Sequence, residues 1–257
     1  MQKKTIAISG VETRYFETDA SGGIPLVILH GWASQAERWS EVIRILDAKK
    51  IKVIAIDLPG FGQTAAPKES WGLDEYKNFV LVFLKSLGVD KFNLLGHSFG
   101  GRIAIKLSAR HVSGLAKLLL VASAGVTPRS KARISIYKLA TKTVKPIFIL
   151  PPLNIFQNIA RRIIYRFSGS YDYYLQKGAM KETFRNVIAE DLTPHLCGIN
   201  VQTCIIWGKK DIMTPLSDAY IIHRNIKNSR LVILENGNHS MNLQMPEKLA
   251  EEIFRFL

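Results

Sequence analysis

The chain has 257 residues, 47% of them hydrophobic, which is enough for one large domain with a sizeable core. Its 35 lysine and arginine residues against 21 acidic residues give a net charge of +14, which favours anionic partners or surfaces. The two cysteines, Cys197 and Cys204, have no metal-ligand spacing, which argues against a disulfide framework or a zinc site and predicts two buried thiols. The sequence shows no signal peptide or transmembrane segment, and we expect a cytoplasmic protein.

Short apolar runs alternate with helical patterns along most of the chain. Residues 5–9 and 15–18 flank a turn at Gly10 and predict an antiparallel edge hairpin. Further apolar runs are typical of strands buried on both faces of a parallel sheet. These runs lie at 25–30, 52–56, 92–97, 115–123, 201–207 and 231–234, and helical patterns lie at 38–49, 73–87, 101–107, 217–226 and from 246 onward. The alternation predicts an α/β protein with a doubly wound, mostly parallel sheet.

The alternation stops at residues 126–192, which have a helical pattern and no strand signal. We therefore predict a core formed by residues 1–125 and 193–257, into which residues 126–192 are inserted as a helical cap, or lid. Between residues 126 and 188, twelve basic residues stand against two acidic ones, so most of the net charge lies in this insertion.

The clearest chemical signal is the stretch at residues 92–101, F-N-L-L-G-H-S-F-G-G. It predicts a strand, a sharp turn and a helix, the arrangement in which a serine hydroxyl is lifted clear at the carboxyl end of a sheet. Gly96 and Gly100 are expected there because a Cβ at either position would collide with a neighbouring strand or helix. We interpret Ser98 as a nucleophile rather than part of a plain tight turn, and His97 beside it as structural.

A serine hydroxyl is a weak nucleophile unless a base accepts its proton and a third group orients that base. Asp211 and His239 each follow a later predicted strand, at the sheet edge where Ser98 would lie. The chain order Ser98, Asp211, His239 predicts a nucleophile, an orienting acid and a base. The alternatives are that Asp211 caps a helix and that His239 is a turn histidine. Asp57, in a Pro-Gly turn, is interpreted as a brace of its own loop.

A tetrahedral oxyanion needs two main-chain donors in fixed positions. We predict that these are the N–H groups of Phe99, directly after the nucleophile, and of Trp32, in the loop after an earlier strand. Gly31 is expected to permit an unusual turn that directs the Trp32 N–H inward. His30, Gly31, Trp32 and Phe99 are predicted to line the substrate pocket.

Together these motifs resemble the α/β-hydrolase superfamily, in its capped form with a serine nucleophile. The matching pieces run in the expected order across essentially the whole chain, and they are His30-Gly31-Trp32, Asp57-Leu58-Pro59-Gly60-Phe61-Gly62, Gly96-His97-Ser98-Phe99-Gly100-Gly101, Gly208-Lys209-Lys210-Asp211 and Asn238-His239. The resemblance implies a carboxylesterase-like acyl-enzyme route. In it Ser98 attacks a carbonyl, His239 shuttles the proton, Asp211 holds His239, and water releases the acid. No cofactor and no metal are expected.

A serine at position 98 separates this chain from haloalkane dehalogenases and epoxide hydrolases of the same fold, which use an aspartate there. The expected substrate is a small-molecule carboxylic ester with a small to medium apolar part. The remaining alternatives are a carbon–carbon bond hydrolase of keto-dienoates, an esterase for acyl groups linked to a carrier protein, and a non-catalytic binding protein.

The predicted cap contains a basic amphipathic helix. Its apolar face consists of Ile155, Ile159 and Ile163. Its polar face consists of Asn158, Arg162 and Arg166. In the simpler interpretation the apolar face covers the active site, and the cap contributes the pocket aromatics Tyr171, Tyr173 and Tyr174. In the second interpretation the cap docks an acidic partner, either an anionic lipid surface or an acidic carrier protein. Nucleic acid is not an expected partner, because no binding motif accompanies the charge.

Overall fold

The computed structural model of the chain describes residues 1–110, 112–126 and 178–257, and an eight-stranded sheet runs through its centre. The strands are β1 (Gln2–Ile8), β2 (Val11–Glu17), β3 (Leu26–Leu29), β4 (Val53–Ile56), β5 (Phe92–His97), β6 (Leu115–Val121), β7 (Gln202–Gly208) and β8 (Ser229–Leu234). The described helices are α1 (Ser40–Ala48), α2 (Leu73–Ser86), α3 (Phe99–Ser108), α4 (Gly178–Ala189), α5 (Leu216–Asn225), α6 (Met241–Gln244) and α7 (Pro246–Phe256). Short 3-10 helices lie at Ala36–Trp39 and Thr193–Gly198.

The strands are arranged in the order β1-β2-β4-β3-β5-β6-β7-β8. β1 and β2 form the predicted antiparallel hairpin, β2 is also antiparallel to β4, and the other neighbours are parallel. From β3 the chain passes to β4 on one side and then to β5 on the other side of β3. The connections after β3 and β5 therefore diverge and open a crevice at the carboxyl edge of the sheet. The predicted doubly wound, mostly parallel α/β fold is confirmed.

Helices cover both faces of the sheet. α2, α3 and α5 pack on one face, and α1 and α7 pack on the other. Along β3, Val27 and Leu29 join the first layer, whereas Leu26 and Ile28 join the second. Since side chains alternate between the faces of a strand and both faces are buried, every position of β3 has to be apolar. Each such side chain stabilises the fold by roughly 1.5–3 kcal/mol.

The observed elements end close to the predicted positions. The helix predicted at 38–49 is a 3-10 turn followed by α1, and β6 ends at Val121 rather than at 123 because Ala122 has a φ of 44°. The prediction of two buried cysteines is wrong for Cys197. It is exposed on the 3-10 helix Thr193–Gly198, whereas Cys204 is buried in β7.

Most of the predicted insertion, residues 127–177, lies outside the described residues, so the cap at 126–192 stays a prediction. The described end of the insertion includes α4, whose buried face is formed by Met180, Thr183, Phe184 and Val187. Among the helices in the described ranges, none combines the length and the apolar character needed to cross a bilayer. Over the same ranges, no group of three or more His, Cys, Asp or Glu side chains could hold a metal ion.

Candidate active site

Ser98 lies at the turn between β5 and α3, where the crevice opens. Its φ of 52° and ψ of −111° belong to a conformation that residues with a side chain rarely adopt, and such strain costs about 1–3 kcal/mol. A Cβ on Gly96 would overlap the main chain of Gly100, and a Cβ on Gly100 would overlap the Leu29 carbonyl of β3. The two glycines are therefore required by lack of space, as predicted, and Ser98 itself stays partly exposed.

Three side chains form a hydrogen-bonded line at this edge of the sheet. Ser98 Oγ lies 3.0 Å from His239 Nε2, and His239 Nδ1 lies 2.8 Å from Asp211 Oδ2. Asp211 follows β7 and is inaccessible to solvent, whereas His239 follows β8 and its side chain is 12% exposed. The fold thus brings together the three residues whose chain order predicted a nucleophile, an acid and a base.

The Asp211 carboxylate accepts four hydrogen bonds. Oδ1 accepts the N–H groups of Met213 at 2.8 Å and Thr214 at 2.9 Å, and Oδ2 accepts the Thr214 hydroxyl at 2.8 Å and His239 Nδ1–H at 2.8 Å. Burial alone would raise the pKa of Asp211, but the hydrogen bonds from His239 and Thr214 outweigh it and lower that pKa. Since His239 donates from Nδ1, its Nε2 is the atom that can accept the Ser98 proton.

Thr214 is a site residue that our sequence reasoning missed. Its buried hydroxyl contacts Asp211 and also lies 3.2 Å from His239 Nδ1. Its carbonyl oxygen accepts the Trp207 indole N–H at 2.9 Å, which holds the loop against β7. The signal in the sequence was the short spacing from Asp211 to Thr214, because an aspartate commonly binds the main-chain N–H groups just ahead of it.

His97 contacts the main chain of the candidate base. Its Nε2 lies 2.9 Å from the His239 carbonyl oxygen, so Nε2 must carry the hydrogen. Burial, reinforced by the neighbouring His239, lowers the pKa of His97 to about 3 and keeps the ring neutral. The residue predicted to be structural therefore holds the loop that presents His239.

His30 joins the loop after β3 to the loop after β4. The Leu58 N–H donates to His30 Nε2 at 3.0 Å, so Nδ1 carries the hydrogen and donates to the Gly31 carbonyl at 2.7 Å. Complete burial lowers the pKa of His30, which favours this neutral form. Because the C=O and N–H of one peptide unit point in opposite directions, the bond to Gly31 also sets the direction of the Trp32 N–H.

The two predicted oxyanion donors are the N–H groups of Trp32 and Phe99. Within the described ranges, neither of them donates to a main-chain acceptor. The expected role of Gly31 as the unusual turn is wrong, because the positive φ of this loop, 52°, lies at Ala33. The space at Gly31 is tight, since a Cβ there would lie 3.1 Å from His97 Nδ1 and 3.3 Å from Ser98 Cβ, and these neighbours would have to shift by a few tenths of an ångström.

Aromatic rings from three segments surround the Trp32 indole. Its centroid lies 4.8 Å from that of Phe61, 5.1 Å from Phe99 and 4.9 Å from Phe184, in edge-to-face contacts. Phe61 follows β4, Phe99 follows Ser98, and Phe184 belongs to α4. These four rings, which we call the aromatic wall, place an apolar surface next to the nucleophile position. The predicted pocket tyrosines at 171, 173 and 174 lie outside the described residues.

Asp57 braces its loop, as predicted. Its Oδ1 accepts the Ala36 N–H at 2.7 Å, and its Oδ2 accepts the Gln63 N–H at 3.1 Å. The carboxylate is buried and has no contact with the line from Ser98 to Asp211 among the described residues. It therefore supports the loop that carries Phe61.

A family model matches most of the chain. The sequence model described as "alpha/beta hydrolase fold" matches residues 24–246. The chain belongs to the α/β-hydrolase family. The match begins just before β3 and ends at the start of α7, so it includes every loop that contributes to the site of this hydrolase.

Relatives of this hydrolase are similar over most of its length. The dihydrolipoyllysine-residue acetyltransferase component of the acetoin cleaving system of Pseudomonas putida is 27% identical over 261 residues, which cover 97% of the chain and 68% of that protein. The monoacylglycerol lipase ABHD6 of Rattus norvegicus is 27% identical over 252 residues, which cover 90% of the chain and 74% of the lipase. The crystal structure of a membrane phospholipase A, a bacterial virulence factor, matches 99% of the chain and 85% of its own with a TM-score of 0.77 and 23% identity. These likenesses show the shared family and fold but no common substrate.

In this hydrolase, α3 anchors the described end of the predicted insertion. Arg102 Nη1 donates to the carbonyl oxygens of Val187 and Glu190, both at 2.9 Å. Lys106 Nζ forms an ion pair with the Glu190 carboxylate at 2.5 Å. Since α3 starts directly after Ser98, Val187 and Glu190 are attached to the helix that follows the candidate nucleophile.

Most of the predicted basic surface lies outside the described residues. Of its twelve basic residues, Lys181 and Arg185 belong to α4, and Arg185 pairs with Glu182 at 2.9 Å. The acidic partner or anionic surface proposed for the cap therefore stays a prediction.

Proposed function

We propose that this hydrolase cleaves carboxylic esters, with Ser98 as nucleophile, His239 as base and Asp211 as the acid that orients the base. The observation that carries the proposal is the hydrogen-bonded line from Ser98 Oγ to His239 at 3.0 Å and from His239 to Asp211 at 2.8 Å. Such a line removes the proton from the hydroxyl as it attacks, which an isolated serine cannot achieve at neutral pH.

The proposed reaction has two halves. Ser98 Oγ bonds to the ester carbonyl carbon while its proton passes to His239 Nε2, and the resulting oxyanion accepts the N–H groups of Trp32 and Phe99. The tetrahedral intermediate then expels the alcohol, which takes the proton from His239 and leaves an acyl group on Ser98. A water molecule, deprotonated by His239, attacks this acyl group; the bond to Ser98 Oγ breaks, His239 returns the proton to Oγ, and the acid is released.

The charges around His239 support these roles. Asp211 is ionised, since hydrogen bonds lower its pKa, and a buried carboxylate stabilises the imidazolium that forms when His239 accepts a proton. The neighbouring His97 ring, whose pKa is about 3, is neutral and adds no opposing positive charge. His30 acts one step further away, because its bond to Gly31 directs the Trp32 N–H.

The proposed substrate is a small-molecule ester with an apolar part of small to medium size. The aromatic wall supplies an apolar surface beside Ser98. One relative, the monoacylglycerol lipase ABHD6, is an ester hydrolase by name. We retain residues 126–192 as the cap that would close over this surface.

A chain-length series of nitrophenyl esters, from acetyl to lauroyl, tests the proposal. We expect turnover of the series with a maximum in kcat/KM at a short or medium acyl chain, because the four rings of the aromatic wall offer an apolar surface of limited extent. Nitrophenolate release by the full chain is the measurement. A protein that cleaves none of these esters but cleaves a keto-dienoate would be a carbon–carbon bond hydrolase. Inactivity on both would favour the binding-protein alternative.

Thr214→Val is expected to lower kcat/KM about tenfold, because one hydrogen bond to Asp211 Oδ2 is lost while both main-chain bonds to Oδ1 stay. Thr214→Ser restores the hydroxyl and is the matched control, expected within about threefold of wild type. Steady-state kinetics on the best nitrophenyl ester compares the two variants. If Ser and Val at this position give equal activity, the hydroxyl has no role in positioning the acid.

A further inference from the structure

The Trp32 side chain contains a buried donor without a partner. Its Nε1 is inaccessible to solvent and finds no acceptor among the described residues. An indole N–H can only donate, and a donor left buried and unpaired is costly. Trp207 shows the usual arrangement, since its Nε1 donates to the Thr214 carbonyl at 2.9 Å. The unpaired Trp32 donor therefore requires an explanation of its own.

The neighbours of Trp32 explain why the donor is unpaired. The aromatic side chains that pack on the indole among the described residues are those of Phe61, Phe99 and Phe184, which contain no oxygen or nitrogen. An aromatic face accepts an N–H only weakly, so none of these rings replaces an oxygen acceptor. A partner oxygen has to come from outside the aromatic wall.

The donor lies beside the reaction centre. The ring of Trp32 packs on Phe99, the residue after Ser98, and Gly31 brings its loop so close that a Cβ would lie 3.3 Å from Ser98 Cβ. Trp39 Nε1 also lacks an acceptor within the described part of the chain, but that ring is fully buried in the layer of α1 and α7. Trp32 as a whole is partly exposed at the crevice, whereas its Nε1 is enclosed, so an oxygen of a substrate bound at Ser98 reaches Nε1 only when one of the surrounding rings gives way.

We propose that the Trp32 indole N–H donates a hydrogen bond to the substrate. The natural ester then carries an oxygen acceptor, in a hydroxyl, ether or second carbonyl group, close to its scissile carbonyl. This inference rests on the proposed esterase function and specifies its substrate class. A purely alkyl ester would cover the donor without pairing it, and a site of that kind selects against a substrate that lacks the matching polar group.

Two pairs of esters, each differing by one ether oxygen in place of a methylene group, test the proposal. On the acyl side the pair is nitrophenyl methoxyacetate and nitrophenyl butyrate, and on the alcohol side it is methoxyethyl butyrate and butyl butyrate. The measured quantity is the ratio of kcat/KM for the ether ester to that for the alkyl ester. In Trp32→Phe we expect this ratio to fall about tenfold for at least one pair. Comparing ratios between enzymes cancels the intrinsic reactivity of each ester.

Trp71→Phe is the matched control, because Trp71 packs on Tyr76 and Phe79 rather than beside Ser98. We expect it to keep the wild-type ratio. Benzothienylalanine at position 32 is the second variant, since it preserves the shape of the indole and replaces the N–H by sulfur. It should lower the ratio as Trp32→Phe does, even if the phenylalanine variant folds poorly.

The possible outcomes distinguish the donor role of Trp32 from the esterase function itself. If the wild type cleaves the esters and both position-32 variants keep the wild-type ratios, Trp32 is not a donor to the substrate, and the esterase function is unaffected. Wild type inactive on all four esters and on the nitrophenyl series would overturn the esterase function and this inference with it.

Discussion

Replacement of Ser98 by alanine is expected to lower kcat for ester hydrolysis by a factor on the order of 10⁵ or more. The Ser98 hydroxyl supplies the oxygen that would bond to the ester carbonyl carbon and the proton that His239 Nε2, 3.0 Å away, would accept. Alanine has neither. The fold should persist, because alanine, like serine, has a single Cβ at the φ of 52°. The substitution removes one side-chain hydrogen bond, the one to His239. The measurements are steady-state kinetics on one nitrophenyl ester and circular dichroism, which checks that the variant is folded.

Ser108→Ala is the matched control for this experiment. Ser108 lies at the end of the same helix, α3, and its hydroxyl donates to the Ala104 carbonyl at 2.7 Å. It should keep activity within about threefold of wild type. A folded Ser98→Ala protein with activity near that of Ser108→Ala would mean that Ser98 is not the nucleophile, and the proposed acyl-enzyme route would be abandoned.

Asp211→Asn is expected to lower kcat by about four powers of ten without loss of the fold. The main-chain N–H groups of Met213 and Thr214 point at Oδ1, so the amide oxygen of the asparagine would take that position. Its NH₂ group would then face His239 Nδ1 and donate to it. His239 would hold its own hydrogen on Nε2 and could no longer accept the proton of Ser98.

Asp218→Asn is the control, because Asp218 is a second carboxylate near Asp211. Its pKa is raised by burial to about 6, and its side chain contacts Ser217 rather than His239. We expect kcat within about threefold of wild type for this variant. Equal, small effects of both substitutions would show that Asp211 does not orient the base, and large effects of both would point to the charge of the loop rather than to one hydrogen bond.

Local patterns were sufficient to predict the framework of the protein. The unbroken apolar runs indicated strands covered on both faces, and β3 has that burial because its side chains alternate between two helical layers. The glycines around Ser98 indicated a turn without room for a Cβ, and their neighbours in the fold are main-chain atoms. The placement of Asp211 and His239 after later strands predicted one shared edge, because parallel strands end on the same side of a sheet.

The supporting contacts of the site could not be predicted in this way. Nothing in the pattern around His97 indicates that its ring binds the His239 carbonyl, 142 residues away in sequence. Thr214 and Ala33 were missed for a related reason. Which donor a carboxylate binds, and which residue of a loop adopts a positive φ, depend on how the loop is packed.

The sequence by itself determined the fold class, the family and the residue types at the carboxyl edge of the sheet, because periodicity, turn chemistry and motif order are properties of short segments. The tertiary structure decided which atoms meet there. Only packing sets a separation of 3.0 Å between Ser98 and His239, and only packing places three phenylalanine rings around the Trp32 indole, whose N–H has no acceptor among the described residues. A hydrogen bond forms or is lost when the distance between two atoms changes by a few tenths of an ångström. These atoms belong to segments that are distant in sequence, and no local pattern specifies their separation.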